Sequence, residues 1–125
     1  MRSAFVAIID DDEGLCSSLV DLMRSVGHRA ESFASAEAFL AAPNLLLFNA
    51  VIADVHMPGM SGLNLVRKLQ EQGGMPPVIL ITAWPDVQLD DEAISAGAQC
   101  LLWKPFEAKA LLACLERILS DEHRQ

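Results

Sequence analysis

The chain has 125 residues and a mass of 13.6 kDa, which is the size of one domain. Apolar residues make up 52% of the sequence and the mean hydropathy is +0.30, so a disordered or low-complexity chain is excluded. Nine basic residues against seventeen acidic ones give a net charge of −8, which excludes nucleic-acid binding through a basic surface of this chain. We expect a single domain over residues 1–125, with a polar tail over about 120–125.

The first half of the chain alternates strands and helices, a pattern typical of parallel strands joined by helical crossovers. A continuous apolar run over 5–9 predicts a strand buried on both faces, and Asp12 is a suitable cap for the helix that follows. A short edge strand over 29–33, a brief helix over 36–40 capped by Ser35 and a third strand over 50–53 are predicted next.

The second half continues this alternation. Ser61 and Asp86 are predicted to cap two helices, and strands are predicted over 78–81 and 101–103. The last helix gives the clearest signal, because its apolar residues form one stripe at helical spacing. That stripe consists of Ala108, Leu111, Leu112, Leu115, Ile118 and Leu119. Five strands that alternate with helices predict an α/β domain built on a parallel sheet.

The cysteines and histidines carry no metal-binding signature. Cys16, Cys100 and Cys114 form no CxxC pair, and no histidine stands at zinc-finger spacing from them. We therefore expect reduced thiols that pack as small apolar side chains. His28 and His123 are expected at the surface.

No stretch of the sequence has the length of a membrane helix. The longest apolar segments, 45–52 and 78–81, fall far short of the roughly 20 residues that cross a bilayer. The apolar run over 5–9 meets acidic residues too soon for a signal peptide. The sequence thus predicts no membrane segment and a cytoplasmic location.

Polar side chains stand where four of the predicted strands end: Asp10 and Asp11, then Asp54, Thr82 and Lys104. The carboxyl ends of parallel strands share one edge of a sheet, so these side chains are expected to converge. Two carboxylates about 4 Å apart repel by roughly 4 kcal/mol at an effective dielectric near 20, which calls for a cation. Oxygen ligands favour Mg²⁺, and an aspartate beside Mg²⁺, a lysine and a threonine suits a phosphoryl acceptor.

Four stretches carry a family resemblance: VAIIDD over 6–11, DVHMPGMSG over 54–62, VILITA over 78–83 and KPF over 104–106. In this order and at these separations they resemble the receiver domain of two-component response regulators, over nearly the whole chain. The resemblance implies a flavodoxin-like fold. This is a single doubly wound, five-stranded parallel sheet of order 2-1-3-4-5 with helices on both faces.

The resemblance also implies a metal site. Asp54 would be the residue phosphorylated by a sensor histidine kinase or a phosphotransfer protein. Asp11 would bind Mg²⁺ directly and Asp10 mostly through water, while Asp54 and the backbone carbonyl of His56 would complete the metal shell.

The resemblance further implies how the phosphoryl group is bound and which surface forms a dimer. Thr82 and Lys104 would bind phosphoryl oxygens, and the Lys104–Pro105 peptide would be cis. A homodimer would form through the face of helix 4, strand 5 and helix 5. The protein would be a signalling switch rather than a turnover enzyme.

The chain departs from the common pattern of that family in two respects. Leu101 stands where many receivers carry a tyrosine or phenylalanine, so Trp103, two residues on and on the same strand face, is predicted to replace that ring. By the same resemblance, His56 and Trp84 would border the path of the hydrolytic water, and their bulk predicts a long-lived acyl phosphate.

Part of the sequence also fits an enzyme. Asp10-x-Asp12, with Thr82 and Lys104 downstream, resembles a haloacid-dehalogenase-type phosphatase in which Asp10 would be the nucleophile. The Gly-Thr that usually follows this DxD is missing, the length leaves no cap domain, and Asp54 would have no role. A constitutive docking module without switching is disfavoured because the acceptor set is intact.

Overall fold

The computed structural model of the chain describes residues 3–84 and 86–122, without the side chains of 121 and 122. The five strands are β1 Phe5–Ile9, β2 Arg29–Phe33, β3 Ala50–Asp54, β4 Val78–Thr82 and β5 Cys100–Trp103. The five helices are α1 Glu13–Ser25, α2 Ala36–Leu40, α3 Gly62–Glu71, α4 Val87–Ala96 and α5 Ala108–Glu122. A 3₁₀ turn over Leu45–Leu47 precedes β3.

All strands are parallel and lie in the order β2-β1-β3-β4-β5, which confirms the expected topology. The chain winds from β1 out to the β2 edge and then returns to the other side of β1. The winding therefore reverses between β1 and β3, and in such sheets ligands bind beyond the carboxyl ends of the strands at this point.

Each face of the sheet has its own apolar cluster because strand side chains alternate between the two faces. In β1, Val6 and Ile8 pack with α1 and α5, whereas Ala7 and Ile9 pack with α2, α3 and α4. Helices thus cover both faces, and the three central strands are buried almost completely, as their continuous apolar sequences predict. No helix among the described residues has the length and apolar character needed to span a membrane.

Four helices begin at side-chain caps, and each cap is the residue that the sequence predicts. The side chains of Asp12, Ser35, Ser61 and Asp86 accept hydrogen bonds from backbone N–H groups in the first turns of α1, α2, α3 and α4. Such a cap typically stabilises a helix by about 1 kcal/mol. These local bonds fix where each crossover helix starts relative to the preceding strand end.

The turn between α1 and β2 differs from the prediction, because His28 is buried rather than at the surface. Its Nδ1 accepts a hydrogen bond from the backbone N–H of Ala4 at 2.9 Å. The Ala4 carbonyl in turn accepts from the N–H of Arg29 at 2.8 Å. The ring satisfies a backbone donor where the chain enters β1, and a buried donor without a partner is costly. His123 lies outside the described residues.

Helix α5 buries a narrower stripe than predicted. Ala108 is exposed and Leu112 is only half-buried, because the first residue of the helix precedes the turns that contact the sheet. The other predicted members of the stripe are buried: Leu111, Leu115, Ile118 and Leu119. The helix continues through Glu122, and the rest of the predicted tail, 123–125, lies outside the described residues.

Close packing at the start of α3 leads to a prediction about Gly62. A Cβ at this position would lie 2.4 Å from the backbone oxygen of Asp54 and 3.0 Å from Cδ2 of Leu80. The Gly62→Ala substitution must push α3 away from the end of β3, so we expect the free energy of unfolding to fall by about 1–3 kcal/mol in urea titrations.

The matched control is Gly14→Ala in α1, where the nearest atom to the new Cβ would be Oδ1 of Asp12 at 3.4 Å. This change is expected to be neutral or to stabilise the protein by up to about 1 kcal/mol. Equal stabilities of the two variants would contradict the close-packing argument.

Candidate functional site

Three charged side chains meet at the carboxyl edge of the sheet. Lys104, which follows β5, places its Nζ 2.7 Å from Oδ2 of Asp54 at the end of β3. The same Nζ lies 3.5 Å from Oδ2 of Asp10, which follows β1. The two carboxylates are close enough that the charge of Asp54 raises the pKa of Asp10. Residues from three separate strands therefore form one cluster of two carboxylates and one ammonium group.

Three of the polar side chains at the strand ends, those of Asp10, Asp54 and Thr82, are oriented by the same kind of local hydrogen bond. The backbone N–H two residues further on donates to its oxygen: Asp12 to Oδ1 of Asp10 and His56 to Oδ1 of Asp54, both at 2.9 Å. Trp84 donates in the same way to Oγ1 of Thr82 at 3.1 Å. These short turns are a common use of aspartate and threonine side chains. They occupy one oxygen of each carboxylate and leave the other for Lys104.

Lys104 is held at both its backbone and its side chain. Its N–H donates to the carbonyl of Thr82 at 2.7 Å, and the Lys104–Pro105 peptide is cis, as expected. Burial lowers the pKa of the ammonium group, but the hydrogen bond and charge of Asp54, with a smaller effect of Asp10, outweigh it and raise the pKa. The side chain is therefore a fixed cation at this edge.

The pKa of Asp10 indicates that the single ammonium group of Lys104 does not compensate for the burial and charge of the two carboxylates. Burial is the main reason that the pKa of Asp10 rises from its ordinary value of 3.8 to about 6. The N–H of Asp12 and the charge of Lys104 lower it, whereas the charge of Asp54 raises it further. An additional cation at this edge would stabilise the ionised form of Asp10.

The donor chemistry at this edge fits Mg²⁺. The available side-chain ligands are carboxylate oxygens with excess negative charge, which hard divalent cations prefer. Asp11, predicted to bind the ion directly, is exposed rather than gathered with Asp10 and Asp54. In the part of the chain that the structure describes, no three His, Cys, Asp or Glu side chains are arranged to hold a metal ion. The structure brings together two of the three predicted metal-binding carboxylates.

One contact near the site was missed in the sequence. The Oε2 atom of Glu37, in the first turn of α2, accepts a hydrogen bond from the N–H of Met60 at 3.0 Å. A Cβ on Gly59 would come within 2.6 Å of this carboxylate oxygen, so the side chain lies directly against the loop. Glu37 thus ties α2 to the loop that follows Asp54. From the sequence alone, an acidic residue in the first turn of a helix indicates only a favourable interaction with the helix dipole.

His56 and Trp84 lie close together. Their ring centroids are 6.2 Å apart and the ring planes are nearly perpendicular, at 83°. Both side chains are exposed, Trp84 by 66%. His56 stands two residues after Asp54, and Trp84 stands two residues after Thr82. The two rings therefore lie beside these strand-end side chains.

The sequence matches a family model described as the response regulator receiver domain over residues 6–116. Among curated relatives, the response regulator protein TmoT of Ectopseudomonas mendocina is 39% identical over 118 residues, which are 94% of this chain and 54% of the relative. The transcriptional regulatory protein FixJ of Bradyrhizobium diazoefficiens is 39% identical over 111 residues, 89% of this chain and 54% of the relative. The chain spans about half the length of the curated relatives it matches.

Solved structures are similar over the full domain. The structure of FixJ-N has a TM-score of 0.84 at 37% identity, covering 94% of each chain. A receiver domain of DrrB activated with BeF₃ also has a TM-score of 0.84, at 29% identity, covering 95% of this chain and 99% of the other. These similarities confirm the predicted flavodoxin-like α/β fold.

The raised pKa of Asp10 predicts how stability depends on pH. The folded protein holds the Asp10 proton more tightly than the unfolded chain does, so ionisation costs stability as the pH rises from about 4 through about 6. Asp10→Asn keeps an acceptor for the N–H of Asp12 and removes this cost. Without divalent ions, we expect the variant to be more stable than wild type by about 3 kcal/mol near pH 8, with the difference shrinking toward pH 4.

Urea unfolding in the presence of a chelator measures this difference. Asp11→Asn, which removes an exposed charge, is the control and should change stability by less than about 0.5 kcal/mol. A constant difference between Asp10→Asn and wild type at all pH values would contradict the assigned cause.

Proposed function

The chain belongs to the response regulator receiver domains, and from this premise we propose that Asp54 is the residue that accepts the phosphoryl group. Receiver domains are phosphoacceptor switches of two-component systems rather than turnover enzymes. The observation that carries the proposal is the 2.7 Å contact between the Asp54 carboxylate and the Lys104 ammonium group. This contact puts a fixed cation beside the attacking oxygen.

Asp54 suits a nucleophile better than Asp10 does. The Asp54 side chain is 10% exposed, whereas that of Asp10 is 1% exposed. Burial and the neighbouring charge of Asp54 raise the pKa of Asp10 to about 6, which favours its protonated form and weakens it as a nucleophile. The carboxylate that a donor can reach is therefore Asp54.

The proposed step is an in-line displacement at phosphorus. An oxygen of Asp54 forms the new bond to phosphorus, and the bond from phosphorus to the donor breaks, with its electron pair leaving on the donor. Lys104 exchanges its contact with the carboxylate for one with the phosphoryl oxygens. The oxygen of Thr82 already accepts from the N–H of Trp84, so its own hydrogen is free to donate to the phosphoryl group.

Mg²⁺ is the metal typical of this family, and we assign Asp10, Asp11, Asp54 and the backbone carbonyl of His56 to hold it. When bound, the ion supplies positive charge that offsets the charge of the phosphoryl oxygens. The raised pKa of Asp10 supports this assignment, because a bound cation would stabilise the ionised carboxylate against burial and against the charge of Asp54.

A phosphatase with Asp10 as nucleophile is disfavoured by family membership and by the position of Asp12. Asp12 is the second aspartate of the Asp10-x-Asp12 pattern. Its carboxylate accepts from the N–H of Leu15 and caps α1, which is a structural role.

The partner implied by the family is a cognate histidine kinase, with a phosphotransfer protein as the alternative donor. A homodimer through α4, β5 and α5 is part of the proposal. Val87 and Ile94, one heptad apart on α4, are 78% and 71% exposed, and Trp103 on β5 is also exposed. A cytoplasmic location rests on family membership alone.

The switch relay through Trp103 stays a prediction. Leu101 is half-buried against the apolar cluster shared with α4, and Trp103 is the next residue of β5 on that face. Trp103 pairs in register with Thr82, the residue that would contact the phosphoryl group. A displacement of Thr82 would therefore reach Trp103 through adjacent strand residues.

The acceptor assignment is tested by labelling with acetyl phosphate and Mg²⁺, followed by intact mass measurement and mapping of the modified peptide. We expect one phosphoryl group on Asp54 in the wild type and none in Asp54→Ala. Asp91→Ala, which removes an exposed aspartate of α4, is the matched control and should label like wild type. Undiminished labelling of Asp54→Ala, or an adduct on Asp10, would overturn the assignment.

The contact between His56 and Trp84 predicts a slow loss of the phosphoryl group, because two rings at the approach exclude water. Trp84→Glu removes one ring, so we expect its acyl phosphate to decay about three- to tenfold faster in a radiolabel chase. Leu46→Glu adds the same charge at an exposed position in the turn before β3, away from the carboxyl ends of the strands, and serves as the control. Equal decay of wild type and Trp84→Glu would refute the role of the rings.

A further inference from the structure

Two cysteines and an arginine form a cluster where β5 meets α5. Cys100 is the first residue of β5, and Cys114 lies in α5 one helical turn before Arg117. Both cysteines pack against the same apolar cluster, and Cys114 is close enough to Cys100 to raise the pKa of its thiol. Both side chains are half-buried and free of disulfides. The Nη2 atom of Arg117 lies 2.8 Å from Sγ of Cys100 and donates to the carbonyl of Gln99 at 2.9 Å. A guanidinium group therefore touches one of two adjacent thiols.

This cluster has no part in the proposed phosphoryl chemistry. Cys100 begins β5, whereas Lys104 follows the other end of that strand. The remaining cysteine, Cys16, is buried on α1, where its thiol donates to the carbonyl of Asp10 at 3.3 Å. Two of the three thiols are thus paired in space, although 14 positions separate them in the sequence.

We propose that Cys100 and Cys114 are a redox modification site that forms an intramolecular disulfide by exchange with a low-molecular-weight disulfide such as oxidised glutathione. In the first step the thiolate of Cys114 attacks one glutathione sulfur and releases glutathione thiolate. In the second step the thiolate of Cys100 attacks the Cys114 sulfur and releases the second glutathione. The protein loses two electrons and two protons, and one glutathione disulfide becomes two thiols.

The surroundings of Cys100 set the order of these steps. Burial and then the hydrogen bond and charge of Cys114 raise the pKa of Cys100 to about 12, while the charge of Arg117 lowers it. Cys100 is therefore protonated in the reduced protein, and Cys114 reacts first. Once Cys114 is capped, it no longer carries the charge that favours the protonated Cys100 thiol, and Arg117 remains to stabilise the Cys100 thiolate for the second step.

The bond would fasten α5 to β5 and close a loop over residues 100–114, which includes Lys104. A closed loop restricts the unfolded chain and local opening, so we expect the oxidised protein to unfold at higher urea concentration. Amide hydrogen exchange in α5 should slow on oxidation.

The experiment incubates the folded protein with oxidised glutathione, quenches it with acid and then alkylates the unfolded protein. The wild type should change from three alkylated cysteines to one, lose two hydrogens in intact mass and yield a Cys100–Cys114 peptide on non-reducing mapping. Cys16→Ser, the matched control, should form the same bond. Cys100→Ser should instead stop as a glutathione adduct on Cys114.

Arg117→Gln separates an electrostatic role from simple proximity. Loss of the guanidinium charge should slow the second step by about tenfold, so that the Cys114 adduct accumulates before the bond closes. Retention of the wild-type closing rate would contradict the role of Arg117.

A parallel incubation in concentrated urea tests whether the fold creates the site. The proposal requires the bond to form more readily in the folded protein than in the unfolded chain. It is overturned if folding gives no advantage, if all three thiols persist, or if the bond involves Cys16 or a second copy of the chain.

Acetyl phosphate labelling of Asp54 should persist in both redox forms. Loss of labelling in both would count against the acceptor assignment and leave the disulfide proposal intact.

Discussion

Two carboxylates and one ammonium group share the carboxyl edge of the sheet, and their charges do not cancel. The parallel topology places Asp10 and Asp54 at the ends of neighbouring strands, and Lys104 reaches both from the end of β5. Burial raises the pKa of Asp10 to about 6, and the charge of Asp54 adds to this effect. An edge that holds excess negative charge favours a divalent cation and, with it, a phosphoryl group. The fold and the proposed chemistry therefore depend on the same electrostatic imbalance.

Local backbone bonds make this arrangement rigid enough to be useful. The side-chain oxygens of Asp10, Asp54 and Thr82 each accept a hydrogen bond from the backbone N–H two residues later in the chain. These bonds orient the side chains without long side-chain networks. Gly62 lets α3 start directly against the backbone of Asp54, and Glu37 ties the intervening loop to α2. Groups placed in advance lose little entropy when a donor and a metal arrive, which is the usual advantage of a preorganised site.

The sequence predicted the architecture well because its signals are local and repeated. Continuous apolar runs identify the central strands, capping residues mark the helix starts, and strand ends locate the charged set. The misses depend on contacts between distant residues. His28 was expected at the surface, yet it bonds to Ala4 at the start of β1. Likewise, no periodicity indicates that Cys114 lies close to Cys100. Such pairings arise only when the elements pack.

Carboxyl-carbon NMR of aspartate-labelled protein tests the central claim most directly, because it reports the ionisation of Asp10 itself. Without divalent ions, we expect Asp10 to titrate near pH 6, and we expect Mg²⁺ to shift this midpoint to lower pH. Asp10→Asn identifies the signal. A midpoint near 3.8 that Mg²⁺ leaves unchanged would mean that the two carboxylates do not share an unbalanced site, and the proposed metal and phosphoryl chemistry would lose its physical basis.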